Sequence, residues 1–154
     1  MQNPYNRAMK SDTYVDFFRQ TSPYIHKHRG KTFVIAVDGD TVAHANFHRT
    51  IHDIALLQSL GIRIVLVHGG RPQIDQCIAQ AGEKSQFHNQ LRITDSNAMY
   101  SVKQALGSTR WQIEAELSTG LPNSPMHGAK IKAIGGNFIT AKPIGILNGV
   151  DYQH

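Results

Sequence analysis

Cysteine is almost absent from this chain of 154 residues, which contains Cys77 alone. A single cysteine excludes an intrachain disulfide framework and is typical of a protein in a reducing cytoplasm. Cys77 falls within a predicted helix, and we interpret it as a buried or spectator thiol rather than a nucleophile.

Long hydrophobic runs are also missing. No stretch approaches the roughly 20 apolar residues that a membrane span requires, and residues 1–20 lack the apolar centre of a signal peptide. Apolar residues make up 40% of the chain and charged residues 18%, which is ordinary for a globular domain with a core. We therefore expect a cytoplasmic protein without a membrane partner.

The charge balance is basic but carries no nucleic-acid signature. The formal net charge is +5, and basic residues gather at Lys27, Arg29 and Lys31. There is no nucleic-acid-binding motif and no aromatic interleaving. These residues fit the solvated end of a helix, where cations complement the helix dipole. We expect no nucleic-acid partner.

Residue sets for catalysis or metal binding are lacking as well. His44, His48 and His52 recur every four residues, a spacing that can bind zinc, but no cysteine or glutamate completes a set. We interpret them as surface histidines. No Ser–His–Asp arrangement and no convincing carboxylate pair is present, so we predict no catalytic residue, no metal and no cofactor.

Two strand–turn–helix units are the most informative feature that is present. The segments TFVIAVDGD, from Thr32, and IRIVLVHGGRPQID, from Ile62, each run from a β-branched strand into a glycine turn. We predict parallel, neighbouring strands at Thr32–Val37 and Ile62–Val67, buried on both faces and joined by a helix over Ala45–Leu60. Glycine turns before helices indicate a ligand crevice at the strand ends.

The remaining elements follow from capping and breaking residues. The pattern predicts a helix over Asp12–His28, in which Pro23 begins a second piece capped by Ser22. Thr94 and Asp95 are candidate caps for another helix that runs through Leu106 and breaks at Gly107, after which Ser108 is a candidate cap for a further helix to Leu117. A strand or irregular ribbon is predicted at 87–93, and paired strands at 133–134 and 138–142. No closing element is expected after these, which suggests a fragment of a longer protein.

These units, in this order, resemble the amino-acid kinase family, and within it the N-terminal kinase-like domain of the N-acetylglutamate synthases. The resemblance runs from about Phe17 to His154 and implies the N-terminal part of an α/β three-layer sandwich with a mainly parallel sheet. The implied organisation is an extension over 1–16, an N-terminal helix over 17–30 and the kinase-like part over 31–154. The motifs that carry it are PYI at 23–25, RGKTFVI at 29–35, LGI at 60–62, HGGRPQID at 68–75, RITD at 92–95 and GNFI at 136–139.

The resemblance implies a phosphate-binding site that lacks residues required for phosphoryl transfer. Active acetylglutamate kinases have a lysine where this chain has Ala36, and glycines where it has Asp38 and Arg71. The lysine side chain and the backbone N–H groups of the glycines would stabilise the phosphoryl group as it is transferred. The resemblance therefore implies a vestigial loop whose members are Gly39, Gly69, Gly70 and Arg92, the last matching the arginine that holds the acetylglutamate carboxylate.

The resemblance also implies a regulatory role. In the family the kinase-like domain senses L-arginine, and a separate C-terminal domain transfers acetyl from acetyl-CoA to glutamate. Tyr24 matches the tyrosine that contacts the arginine effector, and the N-terminal helix is used between subunits, which implies a homo-oligomer. Two alternatives stay open: a stand-alone amino-acid-binding or interaction module of the same fold, and, less favoured, an active acetylglutamate kinase.

Overall fold

The structure, a computed structural model, describes residues 11–119, 131–136, 138 and 142–153. Five helices and six strands lie in these residues. In chain order they are α1 Ser11–His28, β1 Thr32–Val37, α2 Gly39–Ala43, α3 Phe47–Ser59, β2 Arg63–His68, α4 Arg71–Gln80, β3 Gln86–His88, β4 Leu91–Ile93, α5 Ser96–Ser118, β5 Ile146–Leu147 and β6 Val150–Asp151. None of the described helices is long and apolar enough to cross a membrane.

The two long strands form the predicted parallel pair. β1 and β2 lie side by side in a register that pairs Val34 with Val65 and Val37 with His68. β1 has the predicted bounds, and β2 is displaced by one residue. The predicted 45–60 helix runs from Phe47 to Ser59. Residues 39–43 form a separate short helix that the sequence did not predict.

The core covers one face of this sheet. Alternate strand residues, Ile35 and Val37 of β1 and Ile64 and Leu66 of β2, pack against a cluster of buried side chains from α2, α3 and α5. Residues of the opposite face, such as Val34 and Val65, are exposed. The prediction that both faces are buried is therefore wrong for the described part of the chain. The cluster consists of Val42, Phe47, Ile51, Ile54, Ile113 and Leu117.

Helix α5 is continuous where a break was predicted. Asp95 caps it, accepting a hydrogen bond of 2.8 Å from the Ala98 N–H. Gly107 lies inside the helix rather than at its end. The buried residues Ala105 and Thr109 lie on either side of Gly107, and packing of this face outweighs the 0.5–1 kcal/mol or so that a helical glycine costs.

Helix α1 is likewise continuous, and Pro23 starts no second piece. Ser22 does not cap a new helix; its hydroxyl donates to the Phe18 carbonyl at 2.8 Å, as the Thr21 hydroxyl does to the Phe17 carbonyl. Both hydroxyl groups therefore bond to carbonyl groups of the preceding turn of the same helix instead of capping a new helix.

Two hairpins complete the fold. The predicted ribbon at 87–93 is the antiparallel pair β3–β4, and β5–β6 is a second hairpin that the sequence analysis missed. Tyr152, which follows β6, is among the most buried side chains, and its carbonyl accepts from the Thr94 N–H at 3.2 Å. The β5–β6 hairpin does not pair with β1 or β2, so among the described residues the parallel sheet keeps two strands. Residues 131–136, 138 and 142 form no strand, while 137 and 139–141 lie outside the described residues.

Candidate functional site

The two glycine turns meet at the carboxyl end of the parallel strands, as predicted. The Gly69 N–H donates to the Val37 carbonyl at 2.8 Å, which extends the strand pairing into the turns. A Cβ added at Gly69 would lie 2.9 Å from the Gly39 nitrogen. The sheet therefore brings Gly39 and Gly69 into direct backbone contact.

Packing fills the space around the first turn. A Cβ at Gly39 would lie 2.5 Å from Pro72 Cδ and 3.0 Å from the Arg71 nitrogen, so this turn rests on the first residues of α4. Gln73 fastens the contact, because its Nε2 donates to the Gly39 carbonyl at 2.8 Å. A Cβ at Gly70 would lie 2.6 Å from Leu106 Cδ2. Close approach of the Arg71 backbone and the Pro72 ring is thus a sufficient reason for glycine at 39, whereas Leu106 is a flexible side chain that could move away from a Cβ at 70.

Asp38 gives the mouth of the first turn a negative charge. It caps α2 by accepting from the Thr41 N–H at 2.7 Å. Hydrogen bonds from the Thr41 side chain and backbone hold the pKa of Asp38 below its ordinary value. Asp38 and Asp40 line a shallow cavity of about 330 Å³ together with Thr41 and His44. Two carboxyl groups at this mouth oppose the binding of a phosphate.

Arg92 is engaged within the protein. Its Nη1 donates to Asp75 Oδ1 at 2.7 Å and also to the Ser85 hydroxyl, which in turn donates to Asp75. Burial alone would raise the pKa of Asp75, but hydrogen bonds from Arg92 and Ser85 outweigh it and hold the pKa below its ordinary range. The carboxylate that Arg92 meets in this structure is therefore a side chain of the same chain.

Arg71 adds a second guanidinium to the same hairpin. Its Nη2 donates to the Gln90 carbonyl at 3.3 Å, and its Cζ lies 5.9 Å from the centre of the Phe87 ring. Arg92 Cζ lies 4.7 Å from the same ring. Both distances are within the range of cation–π attraction. Arg71 and Arg92 together fasten the β3–β4 hairpin to α4, a role that the sequence analysis did not anticipate.

Tyr24 lies well away from these turns. Helix α1 leads into the amino end of β1, whereas the glycine turns lie at its carboxyl end, and six strand residues span about 20 Å. Tyr24 is 67% exposed, and Phe17 and Phe18 of the same helix are 64% and 66% exposed. The structure thus separates the predicted effector residue from the two glycine turns.

His44, which follows α2, and His48 and His52, which lie in α3, do not form a metal centre within the described residues. The rings of His48 and His52 lie 5.9 Å apart, edge to face, and His44 accepts from the Asn46 N–H. Within the described ranges no group of three His, Cys, Asp or Glu side chains could hold a metal ion.

Comparison with known proteins identifies the family. The model of the Amino acid kinase family matches residues 31–153, so the chain belongs to that family. An amino-acid acetyltransferase of Pseudomonas syringae pv. syringae is 51% identical over 141 residues, and one of Azotobacter vinelandii is 50% identical over 141 residues. Each match covers 92% of this chain and 33% of the relative. The chain thus spans about a third of the length of the curated relatives it matches.

Two solved structures extend the comparison. N-acetylglutamate synthase from Neisseria gonorrhoeae complexed with coenzyme A and L-arginine is 34% identical, with a TM-score of 0.73, over 91% of this chain and 33% of that chain. The same enzyme complexed with coenzyme A and N-acetyl-glutamate is 34% identical, with a TM-score of 0.72, over 90% of this chain and 31% of that chain. The chain is therefore homologous to the N-terminal region of N-acetylglutamate synthase, and the predicted resemblance and fold class are confirmed.

Proposed function

We propose that this chain is the arginine-sensing and assembly region of an N-acetylglutamate synthase. In the parent enzyme a separate domain would transfer acetyl from acetyl-CoA to L-glutamate, in the first step of arginine biosynthesis. The kinase-like region would carry no chemistry of its own. It would hold subunits together and transmit the effect of L-arginine binding to the acetyltransferase domain.

The closed glycine turns support a non-catalytic role. A phosphoryl-transfer site needs donors aimed at the transferring group. Here the Gly39 turn rests on Pro72 and is bonded by Gln73, and Asp38 places a carboxylate at its mouth. Ala36 has no charge with which to replace the kinase lysine. Arg92, which would hold a substrate carboxylate, is bonded to Asp75.

The exposed aromatic side chains of α1 are the observation that carries the assembly role. Phe17 and Phe18 are about two-thirds exposed on a helix that makes few contacts with the rest of the described chain. Burial of each phenylalanine would contribute roughly 1.5–3 kcal/mol before ordering costs. A helix with this surface is suited to contact another subunit, which makes a homo-oligomer the expected state.

Tyr24 is the proposed effector residue on the same helix. Its exposure leaves the ring and hydroxyl accessible to a ligand or to a neighbouring subunit. One of the solved relatives is described as a complex with L-arginine, which supports arginine as the effector class. A phenol can donate a hydrogen bond to a carboxylate and can face a guanidinium through its ring.

The test uses the full-length parent enzyme. Tyr24→Ala should weaken inhibition of acetyl transfer by L-arginine and leave the uninhibited rate largely intact. Tyr14→Ala is the matched control, because Tyr14 is a second exposed tyrosine of α1. Phe17→Asp should shift the enzyme to smaller species in sedimentation, whereas Val15→Asp should do so less. An unchanged arginine response in Tyr24→Ala would contradict the effector role, and an unchanged sedimentation pattern in Phe17→Asp would contradict the assembly role.

A further inference from the structure

A cavity of about 390 Å³ lies between α3, β2, α5 and the segment 132–136. Its inner wall is apolar and includes Ile54 of α3, Leu66 of β2 and Ile113 of α5. No residue of the vestigial loop is among the described residues that line it, so the cavity is separate from the glycine turns. Small-molecule sites typically have this size and a mainly apolar lining. We call it the β2 cavity.

The segment 132–136 forms the outer wall of the β2 cavity. Ile131, directly before it, packs against the buried core cluster and fixes the place where the segment begins. Ile134 and Phe138 also line the cavity but are 84% and 83% exposed, so they mark its rim. The apolar lining therefore continues from the inner wall to the entrance.

Arg110 of α5 lines the cavity and is held on two sides. Its Nε donates to Glu114 Oε1 at 2.7 Å. A Cβ added at Gly135 would collide with the Arg110 guanidinium, so this group lies directly against the Gly135 backbone. The Arg110 side chain is 53% exposed, and its two Nη groups have no hydrogen-bond acceptor among the described residues. The guanidinium is therefore fixed in place with its outer donors free.

The charges that line the cavity leave one positive charge without a counter-ion. Arg110 and Lys132 are positive and Glu114 is negative, which gives a net charge of +1 when His68 is counted as neutral. Glu114 is paired with Arg110, and Lys132 forms no ion pair with any carboxylate in the described part of the chain. A ligand with a single negative charge would balance this set.

We infer that the β2 cavity binds an aliphatic monocarboxylate. The hydrocarbon chain lies against the apolar inner wall, and the carboxylate accepts hydrogen bonds from the two Nη groups of Arg110, a pairing that planar guanidinium and carboxylate groups favour. A neutral ligand would leave the Nη donors without an acceptor, and a second carboxylate would be repelled by Glu114. The site is independent of the proposed function, since it requires neither arginine binding nor contact between subunits.

Calorimetric titration of the 154-residue chain with octanoate tests the site. Octanoate should bind at one molecule per chain. The neutral probe 1-octanol has the same chain length but no carboxylate, so it should bind at least tenfold more weakly. Octylammonium, which has the opposite charge, should bind more weakly still, because the cavity already has a net positive charge.

Two variants separate the charged entrance from the apolar wall. Arg110→Gln should weaken octanoate binding about ten- to a hundredfold and leave 1-octanol binding unchanged. Arg49→Gln is the matched control, because Arg49 is an exposed arginine of α3 that does not line the cavity. Ala55 is 2% exposed and lines the cavity, so Ala55→Leu should fill the inner wall and weaken both ligands tenfold or more.

Each result decides for or against the β2 cavity. Octanoate that binds no more tightly than 1-octanol, or that binds a folded Arg110→Gln variant as it binds the unmodified chain, would overturn the carboxylate site. If Arg110→Gln weakens octanoate binding but a folded Ala55→Leu variant does not, the ligand pairs with the guanidinium at the surface and the cavity assignment is wrong. None of these results depends on the Tyr24 or Phe17 variants, so the proposed function can fail or hold separately.

Discussion

Replacement of Gly39 by alanine tests whether this turn has a glycine to leave space for a ligand or to allow close packing against α4. If Gly39 is kept for a ligand, an added methyl group costs little in the free protein. If it is kept for packing, the methyl group collides with the start of α4. The structure places that methyl group 2.5 Å from Pro72 Cδ and 3.0 Å from the Arg71 nitrogen, both parts of a rigid helix end.

The expected cost follows from what can move. The Gln73 Oε1, at 2.8 Å, could rotate away, but the bond from Gln73 to the Gly39 carbonyl would be lost. Such a bond contributes about 0.5–1.5 kcal/mol, and overpacking in a well-packed site costs typically 1–3 kcal/mol. We therefore expect Gly39→Ala to lower the free energy of unfolding by about 1–3 kcal/mol, or Tm by roughly 2–12 °C.

Urea unfolding followed by circular dichroism measures this effect. The midpoint should fall while the slope with denaturant stays constant. Gly107→Ala is the matched control: the added methyl group meets no heavy atom within 4 Å, so stability should rise by about 0.5–1 kcal/mol. If Gly39→Ala is as stable as the unmodified chain while Gly107→Ala gains stability, the turn is open and our argument for a closed crevice is wrong.

Two further predictions concern the β3–β4 hairpin. Gln90 has a φ of +64°, so Gln90→Gly should stabilise the chain by about 1 kcal/mol in urea unfolding, whereas Gln90→Ala, which keeps a Cβ, should not. The pKa of Asp75 lies below its ordinary value of 3.8 in the folded state, so this carboxylate contributes stability that is complete above that value and is lost as the pH falls through the lower folded pKa. The Asp75→Asn variant should therefore have a lower free energy of unfolding at neutral pH, and this free energy should fall less steeply than that of the unmodified chain below about pH 4. If the two chains lose stability equally in acid, the Arg92–Asp75 assignment is contradicted.

The sequence predicts the strands well because their signals are local. β-branched runs that end in glycine define β1 to the residue and β2 within one. The helix break predicted at Gly107 failed because it weighs propensity alone, and a residue that costs about 1 kcal/mol does not interrupt a helix whose buried side is packed. The second helical piece predicted at Pro23 is also absent, although none of the described side chains of α1 is buried to offset the proline. The β5–β6 hairpin could have been read from Asn148–Gly149, the strongest short hairpin signal, at which both residues have positive φ.

The candidate site was predictable only in part, for a related reason. Parallel strands necessarily bring the turns at Gly39 and Gly69 together, and the sequence predicts this correctly. What the turns meet depends on how α4 and α5 pack, and no local pattern shows that Pro72 or Leu106 approaches them. The bond between Arg92 and Asp75 joins residues on different elements and was missed for the same reason.

Asp38 and Arg71, two of the residues at which the resemblance implies a departure from the kinase pattern, have structural roles. Asp38 caps α2 through Thr41, and Arg71 bonds the turn of the β3–β4 hairpin at Gln90. A side chain that caps a helix or fastens a hairpin stabilises the fold whether or not a ligand is present, so these residues are useful to the fold even if, as we propose, the region carries out no phosphoryl transfer. Glycine at 38 or 71 would remove these contacts without supplying a lysine at Ala36, the position where the family resemblance implies one in active kinases.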